Sequence, residues 1–138
     1  MIEELLASDA LAAAALWESV GLTRPWNDPV ADFIRAIEGA TSTVLGHRED
    51  NVLVGTVMVG SDGHRGWVYY LAVSPTHQGS GLGTLLMTSA EAWLRERGTG
   101  KIQLMVRHSN EKVLAFYEHL DYENSEVSVL AKWISPSA

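Results

Sequence analysis

Apolar residues recur along this chain with two periods, and the switches between them mark out helices and strands. Leu82, Leu85, Leu86, Ala90, Trp93 and Leu94 return at three- and four-residue steps, which predicts a helix with one apolar face from near Gly81 to Gly98. Just upstream, Val68-Tyr-Tyr-Leu-Ala-Val73 is short, β-branched and aromatic, and is closed by Ser74-Pro75; that is how a buried strand reads. The same reasoning predicts a strand near Ile2 to Leu6, a helix from Ser8 or Asp9 to Val20, and a helix from Asp28 to Gly39 with Pro29 in its first turn, where a missing N–H costs nothing. A strand pair, Thr41 to His47 and Val52 to Gly60, is joined at Arg48-Glu-Asp-Asn51. A strand from Ile102 to Val106, a helix after Asn110 and a last strand near Ser128 to Ile134 complete the reading. Strands and helices in this order imply an α/β fold, a mixed sheet with helices on both faces.

Between the central strand and its helix lies Pro75-Thr-His-Gln-Gly-Ser-Gly-Leu-Gly-Thr84. Its glycines stand at a helix start, where the first amides lack internal partners and the helix carries the equivalent of roughly half a positive elementary charge. A phosphate is the natural occupant. With no side chains at Gly79, Gly81 and Gly83, a bulky ligand can lie against the backbone itself. From Gly63 to Ala90 there is no Asp or Glu, although 17 acids in 138 residues would place about three in such a window. The window is either kept free of repulsion toward an anion, or reflects only that a buried strand and helix carry few charges anyway.

The spacing excludes two familiar phosphate loops. A dinucleotide fingerprint begun at Gly79 needs glycine where Thr84 stands, and one begun at Gly81 needs it where Leu86 stands. A P-loop begun at Gly79 meets Thr84-Leu85-Leu86 in place of Gly-Lys-Ser/Thr. Gln78-Gly79-Ser80-Gly81-Leu82-Gly83 instead resembles the Q/R-x-x-G-x-G/A pyrophosphate motif of the GCN5-related N-acetyltransferases (GNAT). About thirty residues on, Asn110-Glu-Lys-Val-Leu-Ala-Phe-Tyr-Glu118 is similar to that family's second signature. The two motifs stand in the family's order over Val52 to Tyr122. Where the family often has Leu-Gly-Phe after the second helix, this chain has Leu120-Asp121-Tyr122, and Asp enters a left-handed turn less readily than Gly. Arg24-Pro-Trp-Asn-Asp-Pro29 and Asp62-Gly-His-Arg-Gly-Trp67 are similar to segments of a small bacterial subgroup of the family.

The resemblance implies the GNAT fold, a mostly antiparallel mixed sheet that splays between strands 4 and 5, with acetyl coenzyme A as cofactor in the gap. It also implies the cofactor site: the amides from Gln78 through Gly79, Ser80, Gly81, Leu82 and Gly83 to Thr84 for the pyrophosphate, and Leu71, Ala72 and Val73 pairing with the amide-bearing arm. Asn110 caps the next helix or reaches the arm, with Phe116 beside it. Tyr117 stands where the family's general acid stands. A phenol of pKa about 10 facing a thiolate whose acid has pKa about 8.5 makes full proton transfer uphill by roughly 2 kcal/mol, so hydrogen bonding to the developing thiolate is a sufficient role. The other reading makes Phe116 and Tyr117 an aromatic pair on a buried helix face.

With an amine pKa of about 10.4, roughly one acceptor in 2,500 is neutral at pH 7, so a proton must be removed. No carboxylate lies in the central strand, where many relatives keep Glu. Tyr69 or Tyr70 positioning a water, His64 accepting the proton, or a water chain to bulk all remain open. The acceptor end of the fold falls at Gly21 to Pro29 and Gly60 to Gly66, where Arg24 and Arg65 suit an anionic group and Trp26 supplies a flat wall. Those arginines could instead pair with Asp28 or Asp62 and only fix the loops.

Composition narrows the class further. At 138 residues and 46% apolar, the chain is expected to form one domain, 1–138. It has no cysteine, which removes disulfides and thiol chemistry and suits a reducing cytoplasm. Five scattered His lack paired metal spacing, and His47 and His77 are expected to be incidental. Met1-Ile-Glu-Glu carries no basic leader and the run Ala10 to Trp17 is too short to span a bilayer, so no membrane association is expected. Net charge −7 argues against a nucleic-acid surface and favours a cationic acceptor such as an amine. The expected function is acetyl transfer to an amine of a small metabolite, amino acid or protein. The competing readings are a binding or sensing module for coenzyme A without turnover, and a structural partner domain. Relatives are often dimers, which leaves a homodimer open.

Overall fold

The computed structural model describes residues 1–135 and divides into two compact units, Met1–Leu104 and the part from Met105 on. The first unit holds one five-stranded sheet in chain order: β1 (Ile2–Glu4), β2 (Ser42–Glu49), β3 (Val52–Ser61), β4 (Gly66–Val73) and β5 (Ile102–Gln103). The first four pair antiparallel, and β5 lies parallel to β4. The helices of this unit are α1 (Ala10–Ser19), α2 (Pro29–Glu38) and α3 (Leu82–Glu96). Among the described residues, no helix is long and apolar enough to cross a membrane.

Alternation along β3 sends successive side chains to opposite faces of the sheet. Gly55 faces α3, where an added Cβ would come within 2.8 Å of Leu82; Thr56 faces α1, whose Trp17 bonds to it. The α1–α2 face is filled by Leu5, Ala13, Trp17, Phe33 and Val44. The opposite face packs Leu82, Leu86 and Leu94 of α3 onto Gly55 and Gly66. Each element ends as its sequence dictates. The Asp28 carboxylate accepts from the Ala31 amide ahead of Pro29, which satisfies an otherwise orphaned helix donor. The expected four-residue connection of β2 to β3 closes further, to Asp50-Asn51, both left-handed at φ 51° and 66°. That is the two-residue hairpin turn whose twist matches the strands it joins.

A register shift at His47/Arg48 in β2 accompanies a charged tie to the N-terminal segment. Arg48 donates to Glu3 at 3.1 Å and to the buried Asp9 at 2.6 Å. Burial alone would raise the Asp9 pKa, but the Leu6 amide and Arg48 outweigh it and hold the carboxyl below its usual range.

The second unit contains α4 (Glu111–His119). Asn110 caps it, accepting from the Val113 amide at 3.3 Å. Its end is a two-bond closure in which Tyr122 N–H reaches the Tyr117 carbonyl and Asp121 N–H the Glu118 carbonyl, with Asp121 left-handed at φ 70°. The aspartate thus takes the role that glycine usually fills. Two strand expectations are corrected. Ile102 to Val106 shortens to the two residues of β5, and Ser128 to Ile134 forms no strand at all. Apolar residues there suggest a strand, but a strand exists only with a ladder partner, and Leu130 and Ile134 are 92% and 93% exposed.

Candidate functional site

The turn between β4 and α3 keeps its donors free. Gly79 and Gly81 are left-handed at φ 81° and 87°, and Gly81 is the N-cap of α3. The first bond inside this turn of helix runs from Leu85 N–H to the Gly81 carbonyl, which leaves the amides of Leu82, Gly83 and Thr84 as the helix's unspent first-turn donors. A Cβ built on Gly79 or Gly81 meets nothing within 4 Å. These glycines are therefore needed for backbone conformation and for the open space above them, with no close packing to explain them. The outer groups of the loop are tied down from behind: the Ser80 hydroxyl donates to the His77 carbonyl, and the His77 ring pairs with Glu49 at the end of β2. His77 thus anchors the loop. Donor set and open space fit a diphosphate, and Glu49, the acid that reaches this loop, is engaged by His77.

The loop continues directly from the edge of β4. Ser74 N–H donates to the Val54 carbonyl at 2.8 Å, and Ala72 is the register partner of Thr56. By alternation, Val73 between them turns its N–H and C=O away from β3. The Gln78 side chain accordingly donates to the Val73 carbonyl at 3.1 Å. On this outer side β5 pairs only with Gly66 and Trp67. The ladder ends there, so the parallel neighbour leaves Val68–Val73 beyond its reach, the separation expected between strands 4 and 5.

Between its two ends β4 carries a bulge that sequence reasoning did not locate. Tyr69 pairs with Met58 and Ala72 with Thr56, so Tyr70 and Leu71 together oppose Val57. Tyr70 is left-handed, φ 51°, an unusual state for a bulky side chain. Its ring stacks on Trp17, centroids 3.8 Å apart and planes 11° apart. Its hydroxyl donates to Asp32 Oδ2 at 2.8 Å, and Asp32 Oδ1 accepts from Arg35. Burial first, and then Asp32, push the Tyr70 pKa far up. The phenol keeps its proton, so Tyr70 is no proton acceptor near neutral pH. Trp17, Asp32 and Thr56, which this arrangement brings to Tyr70, went unmarked in the sequence.

The remaining residues expected at the acceptor end, Arg24, Trp26, His64 and Arg65, lie in two loops. Arg24 donates to the Gly21 and Thr23 carbonyls, and Arg65 to its neighbour's carbonyl at His64. Asp28 and Asp62 take backbone amides: Asp28 that of Ala31, Asp62 those of His64 and Arg65. Asp62 also takes the Trp67 indole N–H. The alternative pairing of the two arginines with these carboxylates is therefore not formed. Trp26 and Tyr69 are both part-exposed; Tyr69's pKa is raised by burial and then by Asp62.

In the second unit, Tyr117 is buried and edge-on to Phe116 at 5.0 Å and to Tyr122 at 5.5 Å. Burial pushes its pKa up to about 12.

Residues 10–122 match the model of the acetyltransferase (GNAT) family. An acetyltransferase of Yersinia pestis is 42% identical over 117 residues, 85% of this chain and 83% of that protein. Among solved structures, AAC(6')-Iy in complex with the bisubstrate analog CoA-S-monomethyl-acetylneamine superposes with TM-score 0.83 at 12% identity, over 98% of both chains. A ribosomal-protein-alanine N-acetyltransferase from Brucella melitensis does so with TM-score 0.77 at 24% identity, over 96% of this chain and 98% of that one. At such identities the two structures speak for the fold alone, and the acceptor of this chain stays open.

Proposed function

Since this chain belongs to the acetyltransferase (GNAT) family, we propose that Gln78–Thr84 and the edge of β4 at Leu71, Ala72 and Val73 hold acetyl coenzyme A, and that Asn110 and Phe116 take the cofactor-binding roles that the resemblance to the family implies for them. The activity is transfer of an acetyl group from acetyl coenzyme A to an amine. When bound, the cofactor supplies an activated acyl group as its thioester. The observation that carries the assignment is the set of unspent amides at Leu82, Gly83 and Thr84 under open space at Gly79 and Gly81. A binding-only role has no observation in its favour.

The chain's own residues then divide the work. Amides at the start of α3 neutralise the diphosphate. The outward N–H and C=O of Val73 offer strand-like pairing to an extended amide-bearing arm. Tyr117 donates a hydrogen bond from Oη to the departing sulfur. With its pKa at about 12 against about 8.5 for a thiol, full transfer of that proton is uphill by roughly 5 kcal/mol, so the phenol stabilises without ionising. Arg24 and Arg65, without carboxylate partners among the described residues, and Trp26 form the acceptor end with His64 and Tyr70. An acceptor with an anionic group, such as an amino acid or small metabolite, is what two such cations favour. The family match runs across residue 104, which supports both units acting as one acetyltransferase domain. A cysteine-free chain supports a cytoplasmic setting.

The test pairs calorimetry with turnover. Coenzyme A should bind the intact protein, and Tyr117→Phe should lower thiol release with an amine acceptor tenfold or more while coenzyme A affinity stays within about threefold. An unchanged rate removes Tyr117 from the reaction; no heat with a folded protein removes the site.

A further inference from the structure

A tyrosine is an expensive choice for the left-handed position of a bulge, which glycine ordinarily takes. A residue held in such a state persists only where its surroundings over-determine it. Here three elements converge on Tyr70. From α1, Trp17 lies flat against the ring; from α2, Asp32 accepts the phenol proton; from β3, the Thr56 hydroxyl donates to the Tyr70 carbonyl at 3.0 Å. Thr56 is itself held by Trp17, whose indole N–H donates to Oγ1 at 2.8 Å. Trp17 and Thr56 are completely buried, so neither of these groups has water as a substitute partner.

What the bulge decides is register. Below it β4 pairs as Met58 with Tyr69, above it as Thr56 with Ala72. Without the extra residue the upper register would slip by one, and each group from Leu71 to Val73 would turn to the opposite side. The outward N–H and C=O of Val73 would then point into the ladder with β3.

We infer that Trp17, Thr56 and Asp32 are positioning residues for acetyl transfer: acting through Tyr70, they hold the bulge that sets which backbone groups of Leu71–Val73 stand on the open edge of β4. The inference rests on the reading of that edge as the acyl donor's face. Thr56→Val keeps the side chain's shape and removes both hydrogen bonds; Thr56→Ser keeps both; Tyr70→Gly lets the left-handed turn hold without a brace.

The experiment is a double-mutant cycle of Thr56→Val and Tyr70→Gly, read by acetyl transfer and by backbone amide NMR. Thr56→Val alone is expected to slow transfer tenfold or more and to move the Leu71 and Val73 signals while those of Gly79–Thr84 stay. Thr56→Ser is expected to recover the rate to within threefold. In the Tyr70→Gly background, Thr56→Val is expected to cost less than threefold. Equal cost in both backgrounds, or unmoved Leu71 and Val73 signals, overturns the brace. Should Thr56→Val not fold, Tyr70→Gly against Tyr70→Ala asks the same question, since only alanine is strained at this φ; Gly is expected to be at least fivefold faster, and equal rates overturn the inference. Titrating native protein with coenzyme A separates the premise: a response at Gly79–Thr84 without one at Leu71 and Val73 sinks the donor-face reading, whatever the brace does.

Discussion

Two left-handed turns flank the end of β4, and they are built by opposite means. At Gly79 and Gly81 the chain takes positive φ with no side chain and open space around it. At Tyr70 it takes positive φ with one of the largest side chains available, pinned by three other elements. The first turn is local: glycine adopts it freely, and the cost falls on the unfolded chain's entropy. The second is a tertiary construction, in which packing and hydrogen bonds from α1, α2 and β3 offset a strain of order 1–3 kcal/mol. A loop that must leave room for a ligand cannot be braced from above, so it relies on glycine. A bulge with a buried face can be braced, and its position is thereby tied to the core.

The sharpest way to break the comparison is to put a side chain into the unbraced turn. Gly81→Ala introduces left-handed strain of roughly 1–2 kcal/mol and places a methyl in the space above the free amides. No packed atom opposes that methyl, so the folded protein should lose only about 3–6 °C of Tm. Coenzyme A affinity by calorimetry should fall by about thirtyfold or more, because the methyl and the strain both act where we propose that the diphosphate binds. An affinity within threefold of native would separate the glycines from the ligand.

The same contrast explains what could be read from the chain before its fold was known. The glycine loop, the Asp28 and Asn110 caps and the hairpin are local devices, each specified by a few adjacent residues, and local chemistry is visible in local sequence. Even Asp121 in the glycine position of the α4 end was legible as a tolerable substitute. The bulge was invisible because its cause lies at Trp17, Asp32 and Thr56, up to 53 positions from Tyr70 in the chain. A tryptophan in an alanine-rich helix and a threonine in a valine-rich strand read as ordinary core until they meet. The false strand at Ser128 to Ile134 fails for the converse reason: its pattern is right, and among the described residues no strand pairs with it.

A change of pH should strain the braced turn and leave the glycine turn untouched. Tyr70 and Tyr117 both have pKa values raised above the free phenol, by burial and, for Tyr70, by Asp32 as well. The unfolded chain gives up these protons near pH 10 while the folded protein still holds them. Stability from these groups is therefore complete below pH 10 and is lost as pH rises from there, through about 12 for Tyr117 and further up for Tyr70. The slope from the buried Tyr117 should approach the one-proton value of about 1.4 kcal/mol per pH unit, and that from the more solvent-accessible Tyr70 should be smaller because water screens it. Urea unfolding between pH 8 and 11 should show this decline, and Tyr70→Phe should remove part of it; an unaltered slope would mean that the Tyr70 phenol does not hold its proton in the folded state.

The smallest effect should come from a side chain that joins the glycine loop to the end of β4. Gln78 opens the loop, yet its amide donates to the Val73 carbonyl at the end of β4, on the same open edge that the bulge sets. Because this bond is neutral and exposed, its net contribution should be near the low end for hydrogen bonds, about 0.5 kcal/mol. Gln78→Ala should therefore weaken coenzyme A binding only two- to threefold in calorimetry, with no measurable shift in Tm. If the loop and the edge are aligned by this contact, the loss should vanish in a background where the bulge has already slipped, such as Thr56→Val, since the Val73 carbonyl then no longer faces Gln78. Additive losses in the two substitutions would make the loop and the bulge independent devices that merely share a strand.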